Sequence, residues 1–349
     1  MGQSLRGEIF APSQLGNSER ARWCQLLDGA GLPRAFLTYE FALACEVAYG
    51  KREVGVLILH RGGEIQGFFP FQFPSRVHEI LRSAVRIGEE MSDCAGVIAA
   101  ADLRVTPADL LRAGRLSALA VTHLPARQET LTKDGAPGQN SRVTTGHLID
   151  LSHGPDRYIA ELKQKNSGFV QDTLRRAQKL EREVGSVEFI CESRATWDAV
   201  REVIDEKRRQ YSKTDVSDIF AFVPRLKLME ALCSSQTEYC TVHFTGLATK
   251  GKFIARHVGL KSKGVMNYWF PVYDPAVKKY SPGRQLLWNT ISRPTEDAIV
   301  LIDRGEGDTQ AKRDFSTHTQ EFVSAYWYGS GPRSFLSRTY ASLLWRLSR

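Results

Sequence analysis

The segment Tyr280-Ser281-Pro282-Gly283-Arg284-Gln285 has the residue types of a helix start that could hold an anion. Ser281 suits the N-cap, and Pro282 suits the first helical position, where its missing N–H costs nothing. A helix N-terminus offers free N–H groups and the positive end of its dipole to a pyrophosphate. Gly283 permits close approach and Arg284 adds charge. Most capped helices bind nothing, so the segment gains meaning only from the elements before it. His257, in Arg256-His257-Val258-Gly259, belongs to a strand-forming stretch. A neutral imidazole, with an ordinary pKa of about 6.5, could take the proton from an attacking amine or hydroxyl. A lone strand histidine serves structure just as readily. Asp303 and Asp308 bound a turn-rich run, Asp303-Arg304-Gly305-Glu306-Gly307-Asp308. Their carboxylates could orient an acceptor or support His257, or they could cap a short helix ending near Arg313.

The elements that must position these residues follow from periodicity and turn chemistry. Glu53 to Leu59, Arg61-Gly62-Gly63 and Glu64 to Gln72 read as strand, turn and strand. Cys240 to Ala248, Thr249-Lys250-Gly251 and Lys252 to Leu260 repeat that design, which suggests a duplicated domain. Arg127 to Ser141 reads as loop. Pro155 to Val184 reads as helical with an interruption near Ser167-Gly168. In its second part Phe169, Thr173, Ala177 and Leu180 share one face and Arg175, Arg176, Lys179 and Arg182 the others; those cations are a solvated face or a contact for phosphate. Then come a strand at Val187 to Cys191, helices at Ala195 to Tyr211 and Pro224 to Cys233, the hairpin, a strand at Val265 to Pro271, a helix from Pro282 to about Ser292, a strand at Ala298 to Ile302, and a last segment at Glu321 to Tyr328.

The chain has 349 residues, which fits two domains of roughly 150 to 170 residues. We divide it at 1–150, 151–330 and a C-terminal amphipathic helix, 331–349. Composition is that of a globular protein, with 42% hydrophobic and 25% charged residues. No apolar run approaches the roughly 18 residues of a membrane span, and the N-terminus MGQSLRGEIF carries neither an export signal nor a lipidation signal. Six cysteines without a CxxC pair suggest neither zinc nor a disulfide framework and fit a reducing cytosol. No metal is expected. The net charge of +8 fits nucleic acid, an anionic membrane or a polyanionic ligand, and the absence of a nucleic-acid motif argues against the first. Ser334 to Arg349 is basic and amphipathic, suited to an anionic bilayer as a peripheral contact or to the protein's own core; we expect packing on the core.

Several motifs carry a family resemblance. They are Ser92-Asp93-Cys94-Ala95-Gly96-Val97-Ile98-Ala99, Arg175 to Gly185, Ala255-Arg256-His257-Val258-Gly259-Leu260, Trp269-Phe270-Pro271-Val272-Tyr273-Asp274-Pro275 running to Gly283, and Asp303 to Asp308 with Lys312-Arg313. In these, spread over about residues 20 to 330, the chain resembles the CelD/BcsL-like acetyltransferases of cellulose and other polysaccharide biosynthesis, whose core is a GNAT-type domain and whose structural relatives are FemAB-type transferases. The element order of the C-terminal half matches the GNAT succession. The resemblance implies an α+β fold of tandem GNAT-like lobes, each a mixed, mainly antiparallel sheet flanked by helices. It also implies an acyl-CoA donor and an amine or hydroxyl acceptor on a saccharide or sugar precursor, with polysaccharide-synthesis machinery as a partner. Donor contacts then fall to Tyr268 and Trp269, whose strand N–H groups would polarise the thioester carbonyl, and to Ser281, Gly283, Arg284 and Gln285. Acceptor contacts fall to Asp93, Tyr273, Asp274 and Lys312, and proton transfer to His257 with Asp303 or Asp308. Ala311 stands where the family has an aromatic residue, and Asp93 lacks the usual following aromatic; both departures bear on the acceptor side. The alternatives are a FemAB-like aminoacyl transferase and a non-catalytic lobe of a synthase complex.

Overall fold

A computed structural model describes residues 5–29, 34–132, 139–214, 216–293 and 298–347. The readings on Met1-Gly2, on 133–138 within the expected loop, and on the side chains of Trp345, Arg346, Leu347 and Arg349 lie outside the described residues.

The strands are β1 (Arg6–Phe10), β2 (Val54–Arg61), β3 (Glu64–Gln72), β4 (Ser83–Arg86), β5 (Ile98–Ala99), β6 (Ala118–Pro125), β7 (Gln139–Asp150), β8 (Glu188–Glu192), β9 (Thr241–Thr249), β10 (Lys252–Ser262), β11 (Val265–Tyr273), β12 (Leu301–Glu306) and β13 (His318–Tyr328). The chain forms two compact units, residues Met1–Thr145 with Gln320–Arg349, and Gly146–Thr319. This differs from the sequence division at 150 and 330. β13 pairs with β6 from Phe322↔Pro125 to Tyr328↔Ala118, so the chain returns to the first unit before residue 330.

In the first unit the strand order is β1-β2-β3-β4-β6-β13, with β5 added beside β3. Every pair is antiparallel except β4 and β6, which run parallel over Ser83↔Ala118 to Val85↔Ala120. In the second unit the order is β7-β12-β11-β10-β9-β8. Again one pair is parallel, β11 with β12, over Val265↔Leu301 to Asn267↔Asp303. A parallel pair inside an otherwise antiparallel sheet requires a crossover, here the helix Pro282–Ser292. The α+β class and the mainly antiparallel sheets match the sequence expectation.

Both hairpins close as their turn residues dictate. Gly62 and Gly63 take φ of 65° and 85°, and Lys250 and Gly251 take 50° and 74°. Two consecutive positive-φ residues are what a tight hairpin turn of the right twist needs, and glycine supplies that geometry without strain. Each unit has its own core. Leu57, Leu59, Phe69, Phe71, Leu119 and Trp327 fill the first; Tyr158, Met266, Tyr268, Leu287, Ile302 and Phe315 fill part of the second.

The interruption expected near Ser167-Gly168 falls at Asn166, whose side chain accepts the Phe169 N–H and starts a fresh helix, Ser167–Glu183. Two local expectations need correction. The strand expected at Ala298 to Ile302 begins at Leu301 and runs to Glu306, so Asp303 lies inside it. Among its described side chains, the helix Pro332–Leu347 buries Ser334 and Ser337 and leaves Phe335, Leu336, Leu343 and Leu344 exposed, so these four do not pack on the core as expected. Among the described residues no helix is long and apolar enough to cross a membrane.

Candidate functional site

The second unit opens where its parallel pair ends. Beyond Asn267 and Asp303, β11 and β12 no longer pair. On its other edge β11 carries a bulge: Val258 faces Phe270 and Leu260 faces Asn267, so Tyr268 and Trp269 stand opposite Gly259 alone. Only glycine fits there, since a Cβ on Gly259 would lie 2.5 Å from the Asn267 carbonyl oxygen. The bulge re-aims β11 at the point of divergence.

His257 fills the bulge. Its ring lies 3.7 Å from that of Tyr268 and nearly parallel to it. Nε2 accepts the Trp269 N–H at 3.2 Å, which leaves the proton on Nδ1, 3.4 Å from Thr245 Oγ1. The side chain is fully buried. Burial, then the charges of His243 and Arg304, push its pKa well below the usual histidine value, so it is neutral. Both ring nitrogens are thus engaged and no edge of the ring is exposed. The Trp269 N–H, expected at a thioester carbonyl, is turned toward His257.

Other polar groups at the divergence are buried without hydrogen-bond partners: Asn267 Oδ1 and Nδ2, Tyr268 Oη and Arg304 Nε. Arg304 Nη1 donates to the Ala311 carbonyl, its guanidinium lies over the rings of Tyr268 and Phe315, and burial lowers its pKa. Unpaired buried groups cost folding free energy and mark places where a ligand or water completes the set. Asn267 escaped the sequence reading because an asparagine inside a strand carries no local signal; its register opposite Asp303 is what singles it out.

Past β11 the chain runs through Pro275–Tyr280, with the Asp274 carboxylate accepting the Ala276 N–H at 2.9 Å, into the helix Pro282–Ser292. Ser281 occupies the N-cap position as expected, but in a left-handed conformation (φ 56°, ψ 56°), and its hydroxyl caps nothing. Its carbonyl accepts the first helical bond, from Gln285 at 3.1 Å. Pro282 has no N–H, so those of Gly283 and Arg284 lack intrahelical partners. No acidic residue lies in the first turn. A Cβ on Gly283 would meet only Tyr273 Cδ1, at 3.9 Å, so the space before this turn is open.

The helix Ser167–Glu183 supplies charge beside it. Asp172 takes ion pairs from Arg175 at 2.5 Å, Arg176 at 2.7 Å and Arg284 at 2.9 Å. One carboxylate against three guanidinium groups leaves a local excess of two positive charges. Hydrogen bonds from Arg176 and then Arg175 hold the Asp172 carboxyl down at about 2. Arg284 also lies over the Phe169 ring, at 4.8 Å. Gln285 is buried, donating to the Thr173 carbonyl at 2.7 Å with Oε1 unpartnered.

The remaining expected residues are dispersed. Asp303 is buried and accepts the Gly305 N–H at 2.9 Å. Asp308 is exposed and pairs with His147 Nε2 at 2.9 Å and Arg313 at 2.7 Å; these two contacts, His147 first, lower its pKa. Lys312 Nζ donates to the Gly305 and Glu306 carbonyls. Tyr273 is exposed beside Gly283. Asp93 belongs to the first unit.

Residues 169–313 match the sequence family described as Acetyltransferase (GNAT) domain, a stretch that contains the opening, the helix start and all but the first two residues of the helix bearing Asp172. No curated protein matches the sequence. Three solved structures share the fold. FemX is 10% identical, with a TM-score of 0.56, over 90% of this chain and 96% of its own. The C-terminal domain of a protein described as a lysylphosphatidylglycerol synthetase from Agrobacterium fabrum is 13% identical, with a TM-score of 0.51, over 94% and 98%. A conserved protein of unknown function from Bacteroides thetaiotaomicron is 10% identical, with a TM-score of 0.50, over 88% and 97%. The second unit thus contains the stretch that is similar to GNAT acetyltransferase domains, and the first unit repeats its strand order.

Proposed function

We propose that the second lobe transfers an acyl group from acyl-CoA to an amine or hydroxyl acceptor. The observation that carries this reading is the helix start at Ser281 to Gln285. It has open backbone N–H groups, no side-chain cap and no acidic residue in its first turn, and it stands beside an excess of positive charge. These features suit a pyrophosphate. The thioester would extend toward the divergence of β11 and β12, where the unpaired groups of Asn267 and Tyr268 offer hydrogen bonds to a carbonyl or to the acceptor. Asp308 alone of the expected acid–base residues stays exposed, and we assign it to the acceptor side. His257 supports β11 from behind. The resemblance to CelD/BcsL-like acetyltransferases makes a sugar or sugar precursor of an exopolysaccharide the acceptor class we favour.

Calorimetric titration tests the donor. Saturable binding of acetyl-CoA supports acyl-CoA-dependent transfer. Binding of tRNA alone would move the assignment to an aminoacyl transferase of FemAB type, and binding of neither would make the lobe non-catalytic.

A further inference from the structure

Among its described side chains, the helix Pro332–Leu347 turns small polar residues inward and large apolar ones outward. Toward the protein it turns Ser334 and Ser337, which are 5% and 2% exposed, and Ser337 Oγ lies 2.7 Å from Ser117 Oγ. Outward it turns Phe335 and Leu336, 71% and 52% exposed, with Leu343 one turn pair further on. The adjoining helix Arg76–Leu81 touches it through His78 and Tyr340, and adds exposed Val77 and Ile80. Large apolar side chains held outward by a buried serine face mark a surface that has a partner.

Charge says which partner. From Gly329 to the end the sequence has no Asp or Glu and four arginines, Arg333, Arg338, Arg346 and Arg349. Arg76, Arg333 and Arg338 are exposed on these two helices, and Arg333 lies close enough to Arg82 to repel its charge. A second copy of the chain docked by two-fold symmetry would set one cationic face against another. A surface with apolar depth and negative charge fits both features.

We propose that the outward face of Pro332–Leu347, together with Val77 and Ile80, seats the protein on an anionic membrane surface. Phe335, Leu336 and Leu343 enter the headgroup and acyl boundary while the arginines pair with anionic headgroups. This docking is independent of the acyl-transfer reading.

Flotation of the full chain with phosphatidylcholine vesicles, with and without phosphatidylglycerol, tests the proposal. The wild type floats with the anionic vesicles, remains behind with the neutral ones, and is released as salt is raised. Combining Phe335→Ser, Leu336→Ser and Leu343→Ser lowers the partition coefficient by at least about tenfold while melting temperature and CoA affinity stay unchanged, because these side chains are exposed. Three results would overturn it: no flotation of the wild type, equal flotation of the triple variant, or a solution dimer that the triple variant dissolves while vesicles are ignored. The last would give the face to a second copy.

Discussion

The two lobes share a strand order and differ at the helix that follows the fourth strand. In the second lobe β11 is nine residues long and delivers the chain to Ser281, whose left-handed backbone starts an uncapped helix with no acid in its first turn. In the first lobe β4 has four residues and the chain passes through a short 3-10 turn, Glu89–Met91. The first helix after it, Pro107–Ala113, closes its own N-terminus. Thr106 Oγ1 accepts the Asp109 N–H, and Asp109 Oδ2 accepts the Thr106 N–H at 3.0 Å. A capping box satisfies the free donors and places a carboxylate where an anion would sit. The same strand order therefore leaves one helix start uncapped and closes the other with its own side chains. On the proposed reading only the uncapped start binds phosphate, because an anion site depends on which N–H groups the local sequence leaves unsatisfied.

The largest expected effect concerns the support behind β11. His257→Ala removes a fully buried ring and the acceptor of the Trp269 N–H, and should cost about 2–4 kcal/mol of stability. The surviving folded fraction should turn over at a near-normal rate; a loss of roughly 100-fold in a stable variant would restore the base assignment. A pH series sharpens this. The folded pKa of His257 lies below its unfolded value of about 6.5, so the unfolded chain binds the extra proton first. Its neutral form contributes fully above that pH, and stability falls as pH drops below it. Thermal melts should show that acid slope in the wild type and a shallower one in His257→Ala.

A smaller effect tests the open helix start. Gly283→Asp gives the second lobe what the first already has, a carboxylate in the first turn. Its Cβ is accommodated, so the fold should persist while CoA affinity drops by about tenfold or more. Unchanged affinity in the folded variant would remove the anion site. The smallest effect is the converse. Asp109→Ala breaks the capping box and should cost about 1 kcal/mol of stability, with no change in CoA affinity or stoichiometry; a second CoA per chain would show that the cap alone separates the lobes.

What was legible in the sequence follows the range of the interactions involved. Both hairpins could be read because Gly62-Gly63 and Lys250-Gly251 set their turns locally. The helix start at Pro282 was legible for the same reason. Asp303 was placed after its strand because Arg304-Gly305-Glu306-Gly307 reads as a turn, whereas pairing of β12 with β7 and β11 extends the strand through Glu306. The burial of His257 was invisible because it depends on a bulge in the neighbouring strand. The sharing of Asp172 by three arginines was invisible for a similar reason, since Arg284 is 112 residues away in sequence. The outward leucines of the last helix defeated the periodicity argument, which finds an apolar face and does not say what covers it.

The most direct test is a crystal structure of the full chain soaked with CoA. The comparison of the lobes predicts one CoA per chain, its pyrophosphate oxygens within hydrogen-bond distance of the Gly283 and Arg284 N–H groups, its pantetheine arm running toward Asn267 where β11 leaves β12, and no CoA at the helix Pro107–Ala113. Pyrophosphate seated in the first lobe, or CoA bound in the second with those two N–H groups left free, would contradict it.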